Sequence, residues 1–90
     1  MRINVERPDK KTLESMGIKE WPIWTKEPSR FDWSYDQKEV CYILEGRAKV
    51  TPDGGSPAEF GPGDLVTFPE GMQCVWDISE KIKKHYRFGS

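Results

Sequence analysis

The chain has 90 residues, 14 basic against 15 acidic, and a formal net charge of −1. That is one domain's worth of chain, read as a single domain over residues 1–90, and a chain this short buries only somewhat over ~60% of the surface it exposes when unfolded. The charge balance argues against the basic surface that nucleic acid or an anionic membrane requires, and no apolar run approaches the ~20 residues of a membrane span, so neither is expected as a partner.

The first residues, Met1-Arg2-Ile3-Asn4-Val5-Glu6-Arg7, alternate charged and apolar side chains. A secretory signal carries a continuous apolar stretch there, so a cytoplasmic location is expected. Lys10 to Met16 reads as a short helix. Asp9 caps it, Leu13 and Met16 share a face, and Gly17 stops it.

From there the pattern is β. Trp21-Pro22-Ile23-Trp24 is an aromatic strand whose proline suits an edge or a strand start. Phe31-Asp32-Trp33-Ser34-Tyr35 alternates aromatic and polar residues, the period of a half-buried strand. Glu39 to Gly46 is the strongest strand of the sequence, followed by Arg47 to Thr51 and a Pro52-Asp53-Gly54-Gly55 hairpin turn. Pro57 to Phe60, Leu65 to Phe68, Met72 to Ile78 and Ile82 to Phe88 are further strands, separated by Gly/Pro turns. Many short strands with almost no helix predict an all-β sandwich or barrel. Two cysteines, Cys41 and Cys74, do not make a disulfide framework.

Two stretches carry a family resemblance. Glu39 followed by Tyr42-Ile43-Leu44-Glu45-Gly46 resembles the end of the first cupin motif, and Gly63, Pro69 and Gly71 at their spacing resemble the second. The wider pattern, from Trp21-Pro22-Ile23-Trp24 through Phe31-Asp32-Trp33 to Gly63-Asp64-Leu65-Val66-Thr67-Phe68-Pro69, is similar to small single-domain cupins related to the cupin domain of ureidoglycine aminohydrolase. The resemblance implies a jelly-roll β-barrel. It also implies a site at one end of the barrel, where many cupins hold a divalent metal on two His and a Glu of the first motif and one His of the second.

Three of those four ligands are replaced. With three intervening residues before Glu39, the histidine places fall on Trp33 and Tyr35; with four, on Asp32 and Ser34. The second-motif histidine place falls on Cys74. Glu39 and Cys74 therefore remain as candidate metal ligands, and which cofactor the chain uses, if any, stays open. Zn²⁺ accepts both donor types but usually wants four ligands. Glu39 and Cys74 are also the candidate catalytic groups, the first as acid or base and the second as nucleophile if a neighbouring charge activates it.

Without a metal, the alignment makes an aromatic pocket. Trp33, Tyr35 and Trp76 form its walls and Lys84 its cationic contact. On the last strand Ile82, Lys84, Tyr86 and Phe88 alternate with Lys83, His85 and Arg87. The first set is the more apolar, so Lys84 is expected inside and His85 outside. Trp21 and Trp24 are read as core or interface residues, Phe60, Phe68 and Phe88 as core, and Cys41 as inert packing. The expected activity is binding of a small nitrogen-containing metabolite, with hydrolysis or isomerisation as the reactions such a site could host. The alternative is a non-catalytic sensor or accessory domain acting through a partner or homodimer surface around Trp21 to Trp24.

Overall fold

A computed structural model describes residues 2–89. A short strand β1 (Asn4–Glu6) precedes helix α1 (Lys10–Met16) and a 3₁₀ turn over Ile18–Glu20. Six strands follow: β2 (Ile23–Lys26), β3 (Ser29–Ser34), β4 (Glu39–Pro52), β5 (Ala58–Phe60), β6 (Leu65–Phe68) and β7 (Gln73–Phe88). The helix forms where the sequence places it. Asp9 Oδ1 accepts the Thr12 amide at 2.8 Å, and Gly17 closes the C-terminus in the left-handed conformation at φ 68°, which glycine adopts without a Cβ penalty. Among the described residues no helix is long and apolar enough to cross a membrane.

All pairings are antiparallel, in the order β1-β6-β4-β7-β2, with β3 also on β7 and β5 also on β4. This is the jelly-roll arrangement expected from the resemblance. It is built on two long strands rather than the four shorter ones that turn residues suggest. β4 runs through Gly46, and β7 runs through Ser79–Lys81. Their pairing extends from Glu39↔Phe88 to Pro52↔Cys74, with register shifts between Ile43 and Ala48. At that bend Gly46 takes φ 93°, and a Cβ there would overlap the Lys81 carbonyl oxygen. Glycine thus bends the strand where sequence reading places its end.

The register shift exchanges which residues face inward. Glu39, Cys41 and Ile43 are buried before the bend, and Ala48, Val50 and Pro52 after it. Each half of β4 keeps the period-2 pattern, but the parity changes between them. The N-terminal strand β1 pairs with β6, and Arg7 bonds Asp64 Oδ1 at 3.2 Å.

Trp76, 2% exposed, is at the centre of the core. Its ring meets Phe60 and Phe68 at centroid distances of 5.5 and 5.4 Å and stacks parallel to Phe31 at 6.1 Å. Phe60 and Phe68 are fully buried, as expected. Rings of this size remove ~150–250 Å² each from water, a large contribution in a chain this short.

Candidate functional site

Residues of β2, β3, β4 and β7, with Tyr35 beyond the end of β3, line a cavity of about 560 Å³ that opens to solvent. Five of the residues singled out from sequence line it: Trp33, Tyr35, Glu39, Trp76 and Lys84. Trp33 stands at the mouth, 46% exposed, with its ring edge-on to Tyr35 at 6.3 Å. Trp76 forms the inner wall.

Three polar groups meet at the floor. The Tyr35 hydroxyl donates to Glu39 Oε1 at 2.7 Å. Lys84 Nζ donates to Glu39 Oε2 at 2.8 Å, and the two side chains are only 6% and 3% exposed. The Lys84 ammonium also lies 4.7 Å from the ring centroids of both Trp24 and Trp76, within the range in which an aromatic face attracts a cation. Burial, and then the Glu39 carboxylate beside it, push the Tyr35 hydroxyl well above the usual phenol range. It therefore stays a protonated donor.

β7 sorts its residues as the alternation predicts. Lys84 points to the cavity. His85 points to the opposite face, where its Nδ1–H donates to the Trp21 carbonyl at 2.9 Å. That outer face is covered by the α1 and 3₁₀ segment, so His85 is outside the barrel yet buried, at 9% exposure.

Cys74 is placed differently from the other site candidates. It pairs across strands with Trp33 and Pro52, is not among the residues lining the cavity, and its thiol donates to the Trp33 carbonyl at 3.7 Å. Burial pushes it up to about 11, the reverse of what a thiolate nucleophile needs. Cys41, fully buried, is pushed up to about 12 by the same cause.

A divalent metal beside Glu39 does not fit these residues. Both carboxylate oxygens already accept hydrogen bonds, and a cation faces one of them. Cys74 is turned to the backbone. Among the described residues no group of three or more His, Cys, Asp or Glu could hold an ion.

Phe88 differs from its sequence reading as core, and Trp24, read as core or interface, packs against the core but is also a cavity wall. Trp24 lines the cavity and meets Trp76 edge-on at 6.3 Å. Phe88, 43% exposed, lines it too, as do Phe31 and Tyr86. The alternation along β7 already grouped Tyr86 and Phe88 with Lys84. Nothing local marks Trp24: it reaches the site because it pairs with Lys84 across β2 and β7.

Known proteins share this sequence pattern and fold. A model described as the EutQ-like cupin domain matches residues 13–86. A DUF861 family protein from Thermotoga maritima superposes with a TM-score of 0.95 at 45% identity, over 97% of this chain and 99% of that one. The EutQ protein of Clostridium difficile superposes at 0.68 with 19% identity, over 74% of this chain and 52% of that one. A DUF861 family protein from Pseudomonas syringae gives 0.67 at 24% identity, over 73% and 28%. The last two likenesses concern the fold. No curated protein matches.

Proposed function

The chain belongs to the EutQ-like cupin domain family, and from that premise we propose that it is a small-molecule-binding cupin whose ligand is a neutral, nitrogen-containing compound of the amide or ureide class. The observation that carries the reading is the composition of the cavity: aromatic walls over a polar floor whose charges cancel. Trp33, Phe31 and Phe88 offer flat apolar surface toward the mouth. Below them, Glu39 and Lys84 sum to zero charge.

A floor of that kind favours a ligand that brings hydrogen bonds but no net charge. Burying an unpaired ion beside an already matched pair carries a desolvation penalty that nothing repays. An amide or ureide presents both a carbonyl acceptor and N–H donors. Lys84 supplies donors, and each Glu39 oxygen keeps a lone pair after accepting one bond. The likeness of the Trp21 to Pro69 pattern to the ureidoglycine aminohydrolase group points to the same class of compound.

The inventory of groups favours binding over turnover. Cys74 is protonated and turned from the cavity, Tyr35 holds its proton, and Glu39 is engaged on both oxygens. Thermal unfolding against small amides and ureides tests the reading, with carboxylates and amines of similar size in parallel. Ligand at a hundred times Kd adds ~2.7 kcal/mol, a shift of more than ~10 °C for a domain of this size. Stabilisation by the neutral compounds alone supports the proposal. No response to any of them favours an accessory domain working through a partner surface.

A further inference from the structure

We propose that Lys84 is an internal ligand: its ammonium group occupies a preformed cation cage made by Glu39, Tyr35, Trp24 and Trp76, and by filling it sets the charge preference of the cavity. The cage has the features that recognise an organic ammonium. One carboxylate oxygen lies 2.8 Å from the nitrogen. Two indole faces flank it at 4.7 Å each. Tyr35 holds the other carboxylate oxygen in place from 2.7 Å.

The same features are wrong for a divalent metal. Indole faces donate no lone pair, whereas an ammonium gains from both rings at once. The cage walls come from different parts of the chain: Trp24 from β2, Glu39 from β4, and Trp76 and Lys84 from β7, with Tyr35 following β3. Their convergence on one nitrogen is a tertiary arrangement, not a product of neighbouring sequence. Lys84 enters from within the protein, so the cage is occupied without any partner in solution. Removing the amine would leave an anionic aromatic box, and the preference of the cavity would change from neutral to cationic compounds. This second half rests on the reading of the cavity as a ligand site.

Propylammonium is the piece of side chain that Lys84→Ala removes, which makes it the probe. Wild-type and Lys84→Ala proteins are unfolded thermally in propylammonium chloride and in sodium chloride at equal ionic strength. The amine should raise the Tm of Lys84→Ala by several degrees, saturably, and leave wild type unchanged. Adding Glu39→Gln to the variant should abolish the rise. Lys84→Met, whose longer side chain keeps the box filled, should not respond. If Lys84→Ala does not fold in sodium chloride, recovery of its near-UV circular dichroism in propylammonium is the readout, and no recovery overturns the proposal. Equal responses in wild type and variant overturn it, as does a folded variant that ignores the amine or takes up Zn²⁺ in its place. Amide binding by wild type without amine rescue sinks the cage and leaves the ligand reading standing. Amine rescue without amide binding by wild type does the reverse.

Discussion

Lys84 Nζ and Glu39 Oε2 lie 2.8 Å apart, and both side chains are almost wholly removed from solvent. Neither charge is tolerable there alone. Removing one partner of a buried pair typically costs ~3–5 kcal/mol, while replacing both is often close to neutral. Lys84→Met and Glu39→Gln are each expected to destabilise the protein by that order, and the double variant by clearly less than their sum. Urea unfolding of the four proteins completes the cycle. Additive effects would show that the two groups do not support each other.

This pair also shows how far sequence reading reaches. Local alternation puts Lys84 inside, because Ile82, Tyr86 and Phe88 share its face at even spacing on one strand. Glu39 followed from the motif spacing. That they touch depends on the register of β4 against β7, a tertiary pairing that no local pattern specifies. The same holds for Trp24, whose indole is indistinguishable in sequence from a core or interface ring. It joins the site only through the β2–β7 pairing. Short β1 was likewise not legible, since three residues become a strand only when β6 lies alongside. The barrel, α1 with its two caps and most strand positions depended on periodicity and turn residues, and those are local.

Tyr35 is positioned to be a structural donor. Its hydroxyl to a buried carboxylate is a hydrogen bond to a charged group, a class worth ~1.5–3 kcal/mol. Tyr35→Phe should lose about that much stability. It should also loosen Glu39 and so weaken any cavity ligand more than Trp33→Phe does. Equilibrium unfolding gives the first quantity and calorimetric titration the second.

The thiols set an alkaline limit. Cys74 and Cys41 have ordinary values of 9.0, and burial pushes them up to about 11 and about 12. Tyr35 moves in the same direction. A group raised in the folded state contributes stability that is fully present below its unfolded value and is lost as pH rises toward the folded one. Stability should therefore be insensitive to these groups up to about pH 9, then fall by ~1.4 kcal/mol per pH unit for each group that only the unfolded chain has ionised. Urea midpoints measured from pH 8 to 11 test this. Cys74→Ala and Cys41→Ala should each make the decline shallower, and alkylation of folded protein should lack a reactivity midpoint below pH 9.

Trp33 and Trp76 separate ligand contact from folding. Trp33 is 46% exposed at the mouth and Trp76 is 2% exposed at the centre of the core. Trp76→Ala removes a ring that packs on Phe31, Phe60 and Phe68, and a large-to-small change of that kind costs ~3–5 kcal/mol. Trp33→Ala should cost far less stability and still reduce affinity for a cavity ligand. A Trp33→Ala protein that binds as well as wild type would place the ligand elsewhere.

Gly46 provides the test of the fold itself, with internal controls. Gly17, Gly54 and Gly46 all have positive φ, at 68°, 70° and 93°. An added Cβ meets nothing within 4 Å at Gly17 or Gly54, so alanine there carries only the backbone penalty of the left-handed region, of order ~1–2 kcal/mol. At Gly46 the same methyl meets the backbone of Glu80 and Lys81 on the neighbouring strand. Backbone cannot rotate aside as a side chain can, so β4 and β7 must separate where both bend. Their parting would disturb the register that brings Glu39 to Lys84, since both residues lie on the same two strands. Gly46→Ala should therefore destabilise the protein well beyond Gly17→Ala and Gly54→Ala in chemical denaturation. It should also weaken cavity binding, while the two controls leave binding intact. Equal losses in all three variants would mean that only the φ angle matters at Gly46 and that the close approach of the strands does not.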